Sequence, residues 1–125
     1  MYTELVLGFN LKENTPNEVV DILTYMIESG EGDRQPVIPD HDLFKTWRWK
    51  FMLSCDSYYF AGFTHSEMSY DDIGKQWEVN IRCNLKNYDN EIEKFIDWIS
   101  PYVELRGFAG YSRYEESDEP TLIYF

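Results

Sequence analysis

Residues 45–63 read KTWRWKFMLSCDSYYFAGF, and what this run becomes decides how many strands the chain has. It packs two tryptophans, three phenylalanines and two tyrosines into nineteen positions. The odd positions Trp47, Trp49, Phe51, Leu53 and Cys55 are almost wholly apolar, whereas the even ones, Thr46, Arg48, Lys50, Met52 and Ser54, include two cations. Successive side chains leave a strand on opposite faces, so alternation of this kind is what a half-buried strand requires. The pattern predicts a strand over 45–55 with its rings turned inward. A turn at Asp56 and Ser57 and a second strand over 58–65 follow from it.

The same alternation opens the chain. Thr3, Leu5, Leu7, Phe9 and Leu11 share one side of a strand, and Tyr2, Glu4, Val6, Gly8 and Asn10 the other. TPNE at 15–18 then offers a helix start: Thr15 as cap, Pro16 in the first helical position and Glu18 completing a capping box. Val19, Ile22, Leu23, Met26 and Ile27 follow at helical spacing, and Gly30 supplies a left-handed stop. Residues 30–46, with two glycines and two prolines, read as a long ordered loop.

Beyond the aromatic run, SEMSYDDIGKQ at 66–76 reads as a turn region. A strand follows, with Trp77, Val79, Ile81, Cys83 and Leu85 set against Glu78, Asn80, Arg82, Asn84 and Lys86. Asn90 and Glu93 repeat the capping-box spacing before the stripe Ile92, Phe95, Ile96 and Ile99, which Pro101 ends. A strand over 103–114, an acidic turn and a short apolar strand reaching Phe125 complete the chain. The expectation is an α+β fold of element order βαββ-βαββ, an antiparallel sheet with two helices packed on one face. That order resembles the double βαββ arrangement of gyrase-inhibitor-like effector-binding domains, and ferredoxin-like folds with an added hairpin share much of it. The resemblance covers element order alone, and such likeness does not establish function.

A chain of 125 residues suits a single domain, 1–125, and its 43% apolar and 18% aromatic content can fill a core without metal or disulfide staples. Against 23 acidic residues stand 11 basic ones, a net charge of −12. That balance repels nucleic-acid phosphates and anionic membranes, so neither is expected as a partner. The first residues, MYTELVLGFNLKEN, have no basic leader or long apolar run, and an intracellular, cytoplasmic protein is expected.

Chemistry is sparse. His41 lies between Asp40 and Asp42, but adjacent residues rarely converge on one ion, and no metal is expected. Cys55 and His65 are ten residues apart, yet Cys55 continues the inward side of its expected strand and reads as an apolar filler, as does Cys83. Gly107–Gly110, GFAG, opens no helix, so it is no phosphate cradle; glycine in a strand permits close approach of another group, and a bound ligand would find a groove floored by these two residues. The carboxylates fall on polar helix faces and in loops, where solvated acids make poor general acids. No reaction and no cofactor are expected.

Charge placement says more. The helices present acids almost without cations, while Arg48, Lys50, Arg82 and Lys86 occupy polar strand positions. Two functional expectations follow. In the first, an interaction module of inhibitor or immunity type engages a basic protein partner through Glu18, Asp21, Glu28, Glu91 and Asp97, with Tyr25 as aromatic anchor. In the second, Trp49, Tyr59, Trp77, Glu104 and Tyr111 wall a groove for a cationic aromatic molecule. Tyr2, Met52 or Tyr58 exposed on the open sheet face would favour a homodimer through that face.

Overall fold

The computed structural model describes residues 2–31, 35–55 and 65–125. Five strands form one antiparallel sheet: β1 (Thr3–Asn10), β2 (Glu67–Asp71), β3 (Gln76–Leu85), β4 (Phe108–Tyr114) and β5 (Thr121–Tyr124), in the order β2-β3-β1-β4-β5. Helix α1 (Asn17–Ile27) follows β1, and α2 (Glu91–Ile99) joins β3 to β4. β1 lies at the centre, paired along its length with β3 and from Thr3 to Leu7 with β4.

The alternation read from β1 and β3 holds. Leu5, Leu7 and Phe9, with Val79, Ile81 and Cys83, fill the core together with Val19, Ile22, Leu23 and Met26 of α1 and Ile92, Phe95 and Ile99 of α2. One sheet face and the apolar stripes of both helices thus bury in one cluster. Apolar area removed from water at about 25 cal/mol per Å² is what holds these layers together.

The expected strand over 45–55 is absent. Its place is taken by 3-10 turns at Asp42–Lys45 and Trp49–Phe51, with i to i+3 bonds from Thr46 N to Leu43 O, Phe51 N to Arg48 O and Ser54 N to Phe51 O. Burial follows a spacing of about three, with Thr46, Trp49 and Met52 inside, as eclipsed 3-10 side chains require. Met52 and Leu53 are adjacent and both buried, which a strand with one wet face cannot achieve. The second expected strand, 58–65, lies almost wholly outside the described residues. Conversely, β2 occupies part of the expected turn region. Among the described residues the order is therefore βα, then ββα, then ββ, and not a doubled βαββ.

The turns are built around aromatic rings. Trp49 meets Phe44 edge to face at 4.9 Å and Tyr25 of α1 at 6.0 Å. Phe44 in turn meets Trp98 of α2 at 5.3 Å, and Trp98 lies 6.0 Å from Phe95. This buried chain of rings joins one helix to the other, and each such pair adds about 1 kcal/mol beyond its buried area.

Helix ends depart from the expected caps. Thr15 makes no cap bond, its buried Oγ1 having no partner among the described residues, so the first capping box does not form. Asn90 sits left-handed at φ +55° and its side chain makes no cap bond. Asn87 Oδ1 accepts from Ile92 N at 3.0 Å, and Glu91 Oε2 from Asp89 N at 3.1 Å, in its stead. The stop at Gly30 is as expected: φ is +71° and its N–H donates to Tyr25 O at 2.8 Å.

Candidate functional site

The failure of the 45–55 strand leaves two rings outside the core. Trp47 is 81% exposed and Phe51 48%, one on either side of buried Trp49 in the chain. They line a cavity of about 260 Å³ together with Met52, Leu85, Cys55 and the cations Arg48 and Lys86. Pockets for drug-sized ligands start at about 300 Å³, so this one suits a single side chain or a small group.

Two buried polar residues line the same cavity. Glu91, in the first turn of α2, is 1% exposed, and Asn84, at the end of β3, is 2% exposed. The helix N-terminus favours a negative charge at Glu91, and one carboxylate oxygen is bonded to Asp89 N. The other, Oε1, has no hydrogen-bond partner among the described residues, and neither has Asn84 Oδ1. A buried acceptor left unpaired costs about 1–3 kcal/mol, and more when charged. The two cations that line the cavity are each set over a ring: Arg48 Cζ lies 5.5 Å from the centre of Tyr88, and Lys86 Nζ 5.6 Å from that of Tyr2.

The residues expected to contact a partner divide. Glu18, Asp21 and Asp97 are exposed on the helices, and Glu28 is exposed at the C-terminal cap of α1. Tyr25 is not an exposed anchor: it is buried against Trp49, its hydroxyl accepting from Gln35 Nε2 at 3.3 Å. Glu91 is not on the solvated face either, since its side chain turns under the helix start. Asp97 Oδ2 stands 2.9 Å from His41 Nε2, while His41 Nδ1 accepts from Leu43 N.

The residues expected to wall a ligand groove do not converge. Trp49 is buried between the helices, and Trp77 packs edge to face on Tyr70 at 5.3 Å. Tyr111 faces the opposite side of the sheet, since its cross-strand partners are Val6 and Leu122 and not core residues. Its phenol is raised above its usual range by burial and then by the Glu4 carboxylate, with Arg113 and Arg82 pulling the other way. Glu104 is exposed, and Tyr59 lies outside the described residues. Arg48 and Lys50 sit in the 3-10 region and not on strands. Met52 is buried, so it offers nothing to a contact through the sheet face, and Tyr58 is outside the described residues.

Among the other candidates, Cys55 is exposed and not inward, because the backbone that carries it is a turn; Cys83 is buried, and both thiols are free. Asp40 and Asp42 approach Lys45 Nζ at 3.3 and 3.7 Å, exposed pairs worth little. Gly110 meets the β1 backbone, not a ligand; Gly107 has open space above it and lines a separate cavity of about 470 Å³ with Gly8, Asn10 and Phe108. Among the described residues no helix is long and apolar enough to cross a membrane, and no group of three metal-ligating side chains occurs.

Sequence reasoning missed Glu91 and Asn84 as cavity-lining groups. A signal existed at Glu91, which precedes the apolar stripe by one position and so falls on the inward edge of the helix. Comparison with profiles of known protein families, with curated proteins and with solved structures finds no match to this chain.

Proposed function

We propose that this is a non-catalytic, acidic interaction module that engages a basic protein partner in the cytoplasm. The observation that carries the reading is the exposed Trp47, set with Phe51 beside a cavity lined by the buried carboxylate of Glu91. Tryptophan is among the residues most enriched where binding energy concentrates, and a ring the core does not use is free to serve there. The acids at Glu18, Asp21, Glu28 and Asp97, within a net charge of −12, steer a cationic surface toward the contact.

The reading differs from one based on helix acids alone, because the contact centres on the aromatic groove and charge acts at longer range. Isolation of partners from a lysate at low and at high salt tests it, with Trp47→Ala as the control. A basic protein captured at about 50 mM salt and lost at about 500 mM supports the reading, since exposed charges are screened over that range. Capture of nucleic acid, or of nothing at either salt, refutes it. A small cationic molecule is the second reading, favoured by the modest size of the cavity. The element order βα-ββ-α-ββ and strand order 2-3-1-4-5 support a ferredoxin-like sheet extended by β5 as the scaffold. Phe108, Leu122 and Tyr124, exposed on β4 and β5, support a second copy over the open sheet face as a further partner.

A further inference from the structure

We infer that the cleft between the start of α1 and the end of α2 takes an apolar side chain of the basic partner, one flanked in its own chain by lysine or arginine. This rests on the partnership proposed above and gives it a second contact, at the opposite end of α2 from Glu91. The cleft holds about 400 Å³, within the range of about 300–1,000 Å³ in which small ligands are held. Pro16 at the cap of α1, Pro39 in the loop before the 3-10 turns and Pro101 after α2 all line it and are all exposed. Each proline fixes its own φ, so these walls are set before anything binds and little order is lost on binding. Val37 lines the cleft as well and is 73% exposed, an apolar side chain that the core does not use.

Charge selects the occupant. Glu18, Asp40 and Asp97 line the cleft and are exposed, and no described residue lining it is a lysine or arginine. Lys45, close by, is shared between two acids, its Nζ lying 3.3 Å from Asp40 and 3.7 Å from Asp42. Asp97 Oδ2 stands 2.9 Å from His41 Nε2; because His41 Nδ1 accepts from Leu43 N, the ring is neutral, donates from Nε2 and leaves the carboxylate its charge. Four carboxylates are thus answered by one lysine. The C-terminal end of α2 adds the negative end of its dipole, whereas the positive end of α1 is answered by Glu18 in its first turn. An acidic segment would enter against this field, and a wholly polar one would leave Val37 and the proline rings wet. An apolar side chain covers those groups, while its flanking cations reach carboxylates that stay solvated, so no charge is buried.

The test titrates the full chain with three capped tripeptides, acetyl-Lys-Leu-Lys, acetyl-Glu-Leu-Glu and acetyl-Lys-Ser-Lys amides, and follows backbone amide shifts by NMR. Saturable shifts at Val37, His41, Asp97 and Tyr102 are expected with the first peptide. Binding of the serine peptide should be at least about tenfold weaker, the scale of one buried leucine. The glutamate peptide should not bind there. Asp97→Asn keeps an acceptor for His41 and removes the charge, and it should weaken the first peptide about two- to fivefold, as exposed ion pairs do. Val37→Ser, at an exposed position, should weaken it severalfold and leave the spectrum of the free protein otherwise unchanged. Equal binding of the glutamate or the serine peptide, indifference to both substitutions, shifts centred on Trp47 and Phe51 instead, or no shifts at all overturns the inference. A basic protein captured alike by wild type, Val37→Ser and Asp97→Asn, yet lost with Trp47→Ala, removes this contact and leaves the partnership standing.

Discussion

Trp47 and Trp49 are two residues apart, and their replacement by alanine should differ several-fold in cost. Trp49 is 6% exposed and wedged between Phe44 and Tyr25, so Trp49→Ala opens a cavity between the 3-10 turn and α1. A buried tryptophan removes about 150–250 Å² from water. At about 25 cal/mol per Å² that is ~4–6 kcal/mol before relaxation, in line with the ~3–5 kcal/mol of large-to-alanine changes in cores. Trp47, at 81% exposed, keeps only about a fifth of its surface in contact, worth ~1 kcal/mol by the same coefficient. Urea unfolding read by circular dichroism measures both. With a slope of about 2 kcal/mol per M, the midpoint should fall by about 2 M for Trp49→Ala and by less than about 0.5 M for Trp47→Ala. Similar large losses at both positions would put the two rings on one buried strand face and refute the 3-10 geometry, and with it the groove.

Gly110→Ala should cost more than about 3 kcal/mol, because a Cβ there runs into the Val6 carbonyl, with the carbonyl carbon at 2.8 Å and Leu7 Cα at 3.0 Å, and the β1 backbone cannot yield without losing its ladder to β4. An unchanged urea midpoint would show that β4 does not pack so tightly on β1. Burial raises the Cys83 thiol far above its usual range, with Cys55 and Glu4 adding to the shift. Its folded value exceeds its unfolded one, so this contribution to stability is complete below the ordinary thiol value of about 8.5 and declines as pH rises past it; Tyr111, also raised, extends the decline further up. Stability should fall on the alkaline side, and Cys83→Ala should flatten the first part of that fall. A thiol reagent at about pH 8 should modify Cys55 alone in the folded protein and both thiols in urea, since reaction requires an accessible thiolate. His41→Ala removes the acceptor for Leu43 N and the contact to Asp97, and should lower stability by about 1 kcal/mol, measurable as a midpoint shift of about 0.5 M.

What the sequence disclosed depended on how many residues voted for each pattern. In β1 and β3 the inward set Leu5, Leu7, Phe9, Val79, Ile81, Cys83 and Leu85 alternates as the core demands, although Glu4 and Asn84 of the other set, paired across the two strands, are buried as well. α1 and α2 were legible from their stripes, although their caps were not: whether Thr15 or Asn90 bonds depends on the angle at which the chain enters the helix, and Asn90 enters left-handed. Over 45–55 the charged residues Arg48 and Lys50 alternate with rings only across five positions, and a spacing of three fits that window nearly as well. The discordant residue was Met52, an apolar side chain assigned to the cationic side. It is buried, and its neighbour Leu53 is buried with it.

That error and the candidate site have one physical origin. A strand would have spent Trp47, Trp49 and Phe51 together on the core; a 3-10 turn inserts roughly one residue in three and leaves the others to solvent. Leu43, Thr46, Trp49, Met52 and Leu53 supply the buried side chains here, while Trp47 stays largely and Phe51 about half exposed. Exposed rings are tolerated singly on any surface, but here two stand together beside a cavity that also contains a buried, half-unpaired carboxylate. The aromatic richness of the stretch was therefore compatible with either a core or a grip, and its period decided between them. Rings surplus to packing, next to an acceptor surplus to the hydrogen-bond network, are departures from local consistency of the kind that folded chains concentrate where they bind.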